Sequence, residues 1–451
     1  MKENNDYSKI SFVLEKLSYA EFDFNDFNDF NRIEDSMQKI KNMKLFIEII
    51  ERNSIQVLVY DRIKNYFPKI FNSIIKICNW NYQFAKYESR FLIQNTFIFN
   101  IAKESSKLGI KIVFLKGFCF SQCLYREKFY KKMNDIDLLI EERDIHEFEN
   151  ILKNNKFSCL FNNLFSKKSN TSKTHHLPPY ISEDKSCVIS VHWQLSRNFQ
   201  KNNVINFIWD DIVPIPNFQN CYRMSWECNV LHLCIHLSLY KAGFKELADI
   251  FNIIKFCSPL DTKKFKKLII EISAYEKIYR AFVLTSKFFP ELNQIQFFLE
   301  ITNFCYNFIP KKLILQLEKR TRSLKFLLIS RTTYITKLEK SFLLFKLSKS
   351  YNNKFKIWLK MWKILFMIPD SEQKCISGYI GNNIFVKYYY KFVTPIKIIR
   401  ALCSEHGIKN IFFFTMSNAF IIVSGLLKLS FFSFEKEQYD INLINLYKEM
   451  E

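Results

Sequence analysis

Glycine and proline are scarce, at 7 and 10 in 451 residues. So few turn formers leave little room for hairpins and favour long helices. The twelve cysteines never fall at CxxC spacing; the nearest approach is Cys119 and Cys123. That pattern does not support a disulfide framework and fits free thiols in a reducing cytoplasm. The opening Met1-Lys-Glu-Asn-Asn-Asp6 is polar with early acidic residues, so no secretory leader is expected. No repeat of fixed period runs through the chain. A long uninterrupted apolar run is also missing. The nearest, residues 411–427 between Lys409 and Lys428, is broken by Ser417 and Asn418. It is short against the ~20 residues of a span, so the expectation is a buried or interfacial helix. Lys-rich aromatic stretches such as residues 355–365 precede it and leave a peripheral membrane contact through the C-terminal helices open.

Apolar residues make up 48% of the chain, with 48 Phe and 22 Tyr, which places it among globular proteins of two or three domains. The net charge of +22 comes mostly from Lys. An anionic partner such as a nucleotide, nucleic acid or membrane surface would account for it, and so would a solvated basic surface left by composition drift. Acidic residues are interspersed and no Arg-rich run or recognisable RNA module occurs, which makes nucleic acid the weakest of these partners.

Periodicity divides the chain into three. Residues 1–108 read as helices: Ile33–Ile50 has helical spacing, and Trp80–Leu108 continues it to Gly109, which suits the position after a helix end. Residues 109–215 look mixed. A strand over Ile110–Leu115 precedes a glycine turn at Gly117, an apolar strand carries Asp135 and Asp137, and a helix over Glu141–Asn155 follows. Short strands are expected at 157–161 and 187–195, with a polar loop at 166–174 between them. From 216 to 451 the chain reads as a helical region, with junctions at Pro214, Pro216 and Pro259.

The chemistry concentrates in Ile112-Val-Phe-Leu-Lys-Gly-Phe118 and Asn134-Asp-Ile-Asp-Leu-Leu-Ile140. Strand side chains alternate faces, so Asp135 and Asp137 share one side while Ile136, Leu138 and Ile140 take the other. Two carboxylates one strand period apart beside a glycine turn suit a divalent cation and the phosphates it carries. The bland alternative is a solvated edge, but Asp is depleted in strands and two need a reason.

Taken in order, Val113-Phe-Leu-Lys-Gly117, Leu124-Tyr125, Met133 through Ile140, and Val188-Ile-Ser-Val-His-Trp193 resemble the uncharacterised nucleotidyltransferase family of polymerase-beta-like fold. The helix with His232 and His236, then Leu247-Ala-Asp-Ile250, is similar to the family's bundle. The resemblance covers roughly residues 80–255 and fades to a loose echo at 388–399. It implies an α+β chain: a polymerase-beta-like core with a small mixed sheet, flanked by N-terminal helices and a C-terminal helical bundle. It implies Mg²⁺ (or Mn²⁺) on Asp135 and Asp137, and transfer of NMP from an NTP to an acceptor that the sequence does not choose.

Two departures stand out. Where the family's pattern often has an acidic residue, this chain has Ser190, a poor Mg²⁺ ligand and no base at neutral pH. Either His192, Glu183 or Asp184 supplies the function, or the site binds nucleotide without efficient turnover. Lys131 stands where Arg is frequent, keeping the charge but losing the bidentate fork. The site expected from the sequence therefore has Asp135, Asp137 and His192 as catalytic groups and Lys116, Gly117, Lys131 and His176 on the nucleotide. His175 and Lys132 are further candidates, and Asp249 lies on the pocket wall or pairs with a bundle histidine. His232 and His236 match zinc spacing without the glutamate of that motif, which favours a structural or pocket-wall role.

Overall fold

The computed structural model describes residues 3–21, 27–159, 176–195, 204–237, 243–257, 259–311, 314–315 and 359. All but Leu359 belong to one of the two compact units into which the chain divides. The segments at 355–365 (Leu359 apart), 388–399 and 411–427, with His175 and the loop at 166–174, lie outside the described residues.

Six helices open the chain: α1 (Glu3–Leu17), α2 (Phe27–Gln38), α3 (Met43–Arg52), α4 (Gln56–Tyr66), α5 (Pro68–Ile74) and α6 (Trp80–Lys107). The helical spacing of Ile33–Ile50 is thus split between α2 and α3. The break is built by carboxylate and amide side chains. Asp6 accepts from the backbone N–H of Lys41 and Asn42 at 3.4 and 3.2 Å, and Asn42 caps α3 by accepting from the Leu45 N–H at 3.0 Å. Helix α6 ends as its sequence predicts. Gly109 stands at φ 72°, and the Ile110 N–H turns back to the Ser105 carbonyl at 2.9 Å.

Seven strands follow, interleaved with helices: β1 (Ile112–Phe114), α7 (Lys116–Cys123), β2 (Ile136–Leu139), α8 (Ile145–Asn154), β3 (Phe157–Cys159), β4 (Tyr180–Ser182), β5 (Val188–His192), α9 (Val204–Trp209), β6 (Ile212–Pro214) and β7 (Cys221–Met224). They make one mixed sheet in the order β3-β4-β5-β2-β1-β7-β6. The parallel pairs are β2 with β5 and β1 with β7; the other neighbours are antiparallel. The sheet therefore runs past the boundary near residue 215 expected from the sequence, because β7 lies directly beside β1. Pro214, read as a junction, closes the edge strand β6, where a missing N–H breaks no inner ladder.

Five helices complete the described unit: α10 (Trp226–His236), α11 (Phe244–Phe256), α12 (Thr262–Ile272), α13 (Tyr275–Phe288) and α14 (Gln296–Tyr306). Ser225 caps α10 and Asp261 caps α12 with their side-chain oxygens. The abundant phenylalanines fill this layer: Phe251 stacks on Phe289 at 4.2 Å and Phe282 on Phe298 at 4.9 Å. Helix α11 is apolar on nearly all sides and buried, with Asp249 and Asn252 as the polar residues of its interior. Among the described residues no helix is long and apolar enough to cross a membrane.

Candidate active site

Parallel pairing of β2 with β5 sets Asp137 beside Ser190, and both strands carry polar residues with period two. Asp135 occupies the bend just before β2. The Ser190 hydroxyl donates to Asp135 Oδ2 at 3.2 Å. His192 Nε2 donates to Asp137 Oδ1 at 2.8 Å, and Lys116 Nζ lies 3.0 Å from Asp137 Oδ2. Burial opposes the charge on Asp137, yet the Lys116 ammonium and the His192 imidazole hold its carboxyl well below the usual range. His176 pairs with His192 across an isolated antiparallel bridge, their rings 5.2 Å apart. Its Nδ1 donates to the Leu177 carbonyl at 2.8 Å, and burial together with His192 lowers its pKa.

The Leu-Lys-Gly segment differs from the glycine turn that the sequence suggested. It is the start of α7, and the residue with positive φ is Lys116, at 46°, not Gly117. The Leu115 N–H donates to the Asp137 carbonyl at 3.0 Å, which ties this corner to β2 and lets the Lys116 side chain reach the Asp137 carboxylate. Gly117 is needed for contact: a Cβ there would meet Met133 Cγ at 2.9 Å, within the loop that leads to Asp135.

Lys131 and Asp249 come together with each other. Lys131 Nζ donates to both Asp249 oxygens at 2.6 Å, and Tyr125 donates to Oδ1 at 2.7 Å. The partner of Asp249 is therefore a lysine and a tyrosine, not a bundle histidine, and the charge of Lys131 is spent inside the protein. Glu183 and Asp184 sit in the β4–β5 turn, the first 3.8 Å from Lys156 and the second bonded to Ser182 and Ser186. Among the described residues no group of three or more His, Cys, Asp or Glu side chains is arranged to hold a metal ion.

The model of the family described as uncharacterised nucleotidyltransferase matches residues 41–290, more than half of the chain. The chain belongs to that family. The match spans all seven strands and every site residue above. No curated protein and no solved structure matches.

The two faces of the β2–β5 pair differ in character. One side is apolar and buried through Ile136, Leu138, Ile189 and Val191. The other brings together Asp135, Asp137, Ser190, His192 and the Lys116 ammonium. Reading the sequence one strand at a time missed the Asp137–His192 and Asp135–Ser190 contacts. Their signal was present in the matched Asp-x-Asp and Ser-x-His spacing, which the pairing of Asp137 with Ser190 brings onto one face. Lys116 could be suspected from its place before Gly117, but its left-handed backbone could not.

Proposed function

We propose that this nucleotidyltransferase has a polymerase-beta-like core and transfers NMP from an NTP to an acceptor hydroxyl. The observation that carries the reading is Asp137, held ionised between Lys116 and His192 next to Asp135. The donor set suits Mg²⁺ of the kind that takes one or two protein carboxylates and completes its octahedron with phosphates and water, so a third carboxylate is not required. Asp135 and Asp137 would hold it. Bound there, the ion would neutralise phosphate charge and favour departure of pyrophosphate.

The chain's own groups supply the rest. Lys116, with its stem anchored at the head of α7, turns from Asp137 to the phosphates. His192, hydrogen-bonded to Asp137 through Nε2, is the group that takes the proton of the attacking hydroxyl. The new bond joins that oxygen to the α-phosphorus, the bond from the α-phosphorus to the bridging oxygen breaks, and pyrophosphate leaves. Ser190 holds the Asp135 carboxylate in place and takes no proton.

Mg²⁺-dependent NTP binding, followed by pyrophosphate release with cell extract as the source of acceptor, tests this. Wild type should bind and turn over. Asp135→Asn together with Asp137→Asn should abolish both. Binding without release would support a nucleotide-binding member that has lost turnover, the consequence Ser190 raises. Absence of binding by wild type, or equal binding by the double variant, would exclude both readings.

A further inference from the structure

The nine residues between Tyr125 and Asp135 contain little regular structure beyond a short 3-10 turn at Lys128–Tyr130, yet they set where Asp135 stands. Side chains from three helices hold this segment. From α11, Asp249 takes Lys131 with both oxygens and Tyr125 with one, and Lys245 Nζ donates to the Lys132 carbonyl at 2.8 Å. From α6, Arg90 donates to the Asn134 carbonyl at 3.3 Å, and from α4, Asp61 accepts from the Tyr130 hydroxyl. The Asp249 end is itself fixed. Asn252, one turn along α11, donates to the Tyr125 hydroxyl at 3.2 Å and to the Ser18 carbonyl, and accepts from the Ala20 N–H at 2.7 Å.

The ion pair at the centre is almost wholly out of water: Lys131 is 5% exposed and Asp249 2%. Removing two charges from water offsets most of what their attraction returns, so a buried pair does little for stability over a well-packed apolar one. The role such a pair can still serve is to fix one partner and one register. Here the register is that of the strand bearing the metal-facing carboxylates, since Lys131 lies four residues before Asp135 and six before Asp137.

We infer that the Lys131–Asp249 pair is a positioning device by which α11 sets the docking of the 131–135 segment and hence the placement of Asp135 beside Asp137. The inference rests on the proposed role of the two aspartates. Its structural half is measurable without that role.

The variant that separates positioning from stability is Lys131→Met with Asp249→Leu, which keeps the volume and removes both charges. Amide hydrogen exchange of the full chain is measured first. The double variant should exchange at least tenfold faster over residues 131–136 while β1 and β5 keep their protection. Lys131→Arg, which retains the pair, should exchange as wild type does. Mn²⁺ binding in the presence of ATP, GTP, CTP and UTP is measured next, by electron paramagnetic resonance. Affinity should fall at least tenfold in the double variant and recover in Lys131→Arg. If the double variant does not fold, Lys245→Met removes the tie to the Lys132 carbonyl and should loosen the same segment. Unchanged exchange over 131–136 in whichever variant folds would overturn the inference. So would wild-type Mn²⁺ affinity in a double variant when Asp135→Asn lowers it. Failure of wild type to bind Mn²⁺ with nucleotide would count against the proposed function alone, and the exchange rates would still decide the brace.

Discussion

Asp137 keeps its charge against burial because two donors, Lys116 and His192, take its two oxygens. A carboxyl whose folded pKa lies below its unfolded value contributes stability that is complete above the unfolded value of 3.8 and lost as pH falls through the lower folded one. Urea midpoints for wild type and Asp137→Asn should therefore hold a constant gap near pH 5 and begin to converge as pH falls from 3.8 to 3, with wild type losing the larger amount. A constant difference across that range would contradict the assignment. His192 makes a separate prediction, since its part in the proposed reaction is to take a proton rather than to bind the nucleotide. His192→Asn should leave Mg²⁺-dependent nucleotide binding within a factor of about three and cut pyrophosphate release by about 10²-fold or more, the usual weight of a general base. Nucleotide binding lost in step with release would assign His192 to the ligand rather than to the proton. The carboxylates were legible in the sequence because strand alternation places them together. Lys116 was only half legible, since its contact depends on a left-handed φ at a residue with a Cβ.

The elements that local pattern controls were read closely, and those that distant contacts control were not. Helix α6 ends one residue from its expected limit because Gly109 is a local stop, and β1, β2 and β5 fall inside their expected ranges. The α2–α3 break escaped because its cause, Asp6, lies 35 residues before the amides it binds. The Lys131–Asp249 pair escaped for the same reason, at a separation of 118 residues. Helix α1 carries a consequence of the same kind. Glu15 is driven from an ordinary 4.5 to about 7 by burial, which the nearby Lys16 opposes and the carboxylates of Glu291 and Asp29 reinforce. A carboxyl with a raised folded pKa weakens the fold when ionised, so its penalty is full above pH 7 and fades as pH falls toward 4.5. Glu15→Gln should stabilise the protein at pH 8 by on the order of 2 kcal/mol, and the gain should vanish below pH 4.5. Chemical denaturation at both pH values checks the sign. Gly109→Ala should cost about 1 kcal/mol through φ alone, since no atom lies within 4 Å of the added Cβ, and Gly109→Asn should cost less.

At the scale of the molecule, the matched stretch and the compact unit differ in extent. The match begins at residue 41 and ends at 290, whereas α1 and α14 lie outside it and bury apolar side chains in the same unit. Ile10, Val13, Leu14 and Leu17 of α1 are fully buried, and the carbonyls of Leu17 and Tyr19 take the Arg62 guanidinium. They give Arg62, a cation only 2% exposed, two of its acceptors, so this flank both covers the charge and pairs it. At the other end Phe298 stacks on Phe282 and Phe297 packs on Phe265, so removing α14 would expose two core aromatics. Asn252 links the chain at Ser18 and Ala20 to Tyr125, and through it to Asp249. The N-terminal flank is therefore tied through side chains to the segment that precedes the aspartates. A fragment spanning 41–290 should unfold at least 10 °C below the full chain or fail to unfold cooperatively, given roughly 2–4 °C per kcal/mol at this size. Adding back residues 1–40 should recover more of the loss than extending the fragment to 315, because only the first restores the acceptors of Arg62. A fragment melting cooperatively with the full chain would mean that the matched stretch folds alone and that α1 and α14 merely rest upon it.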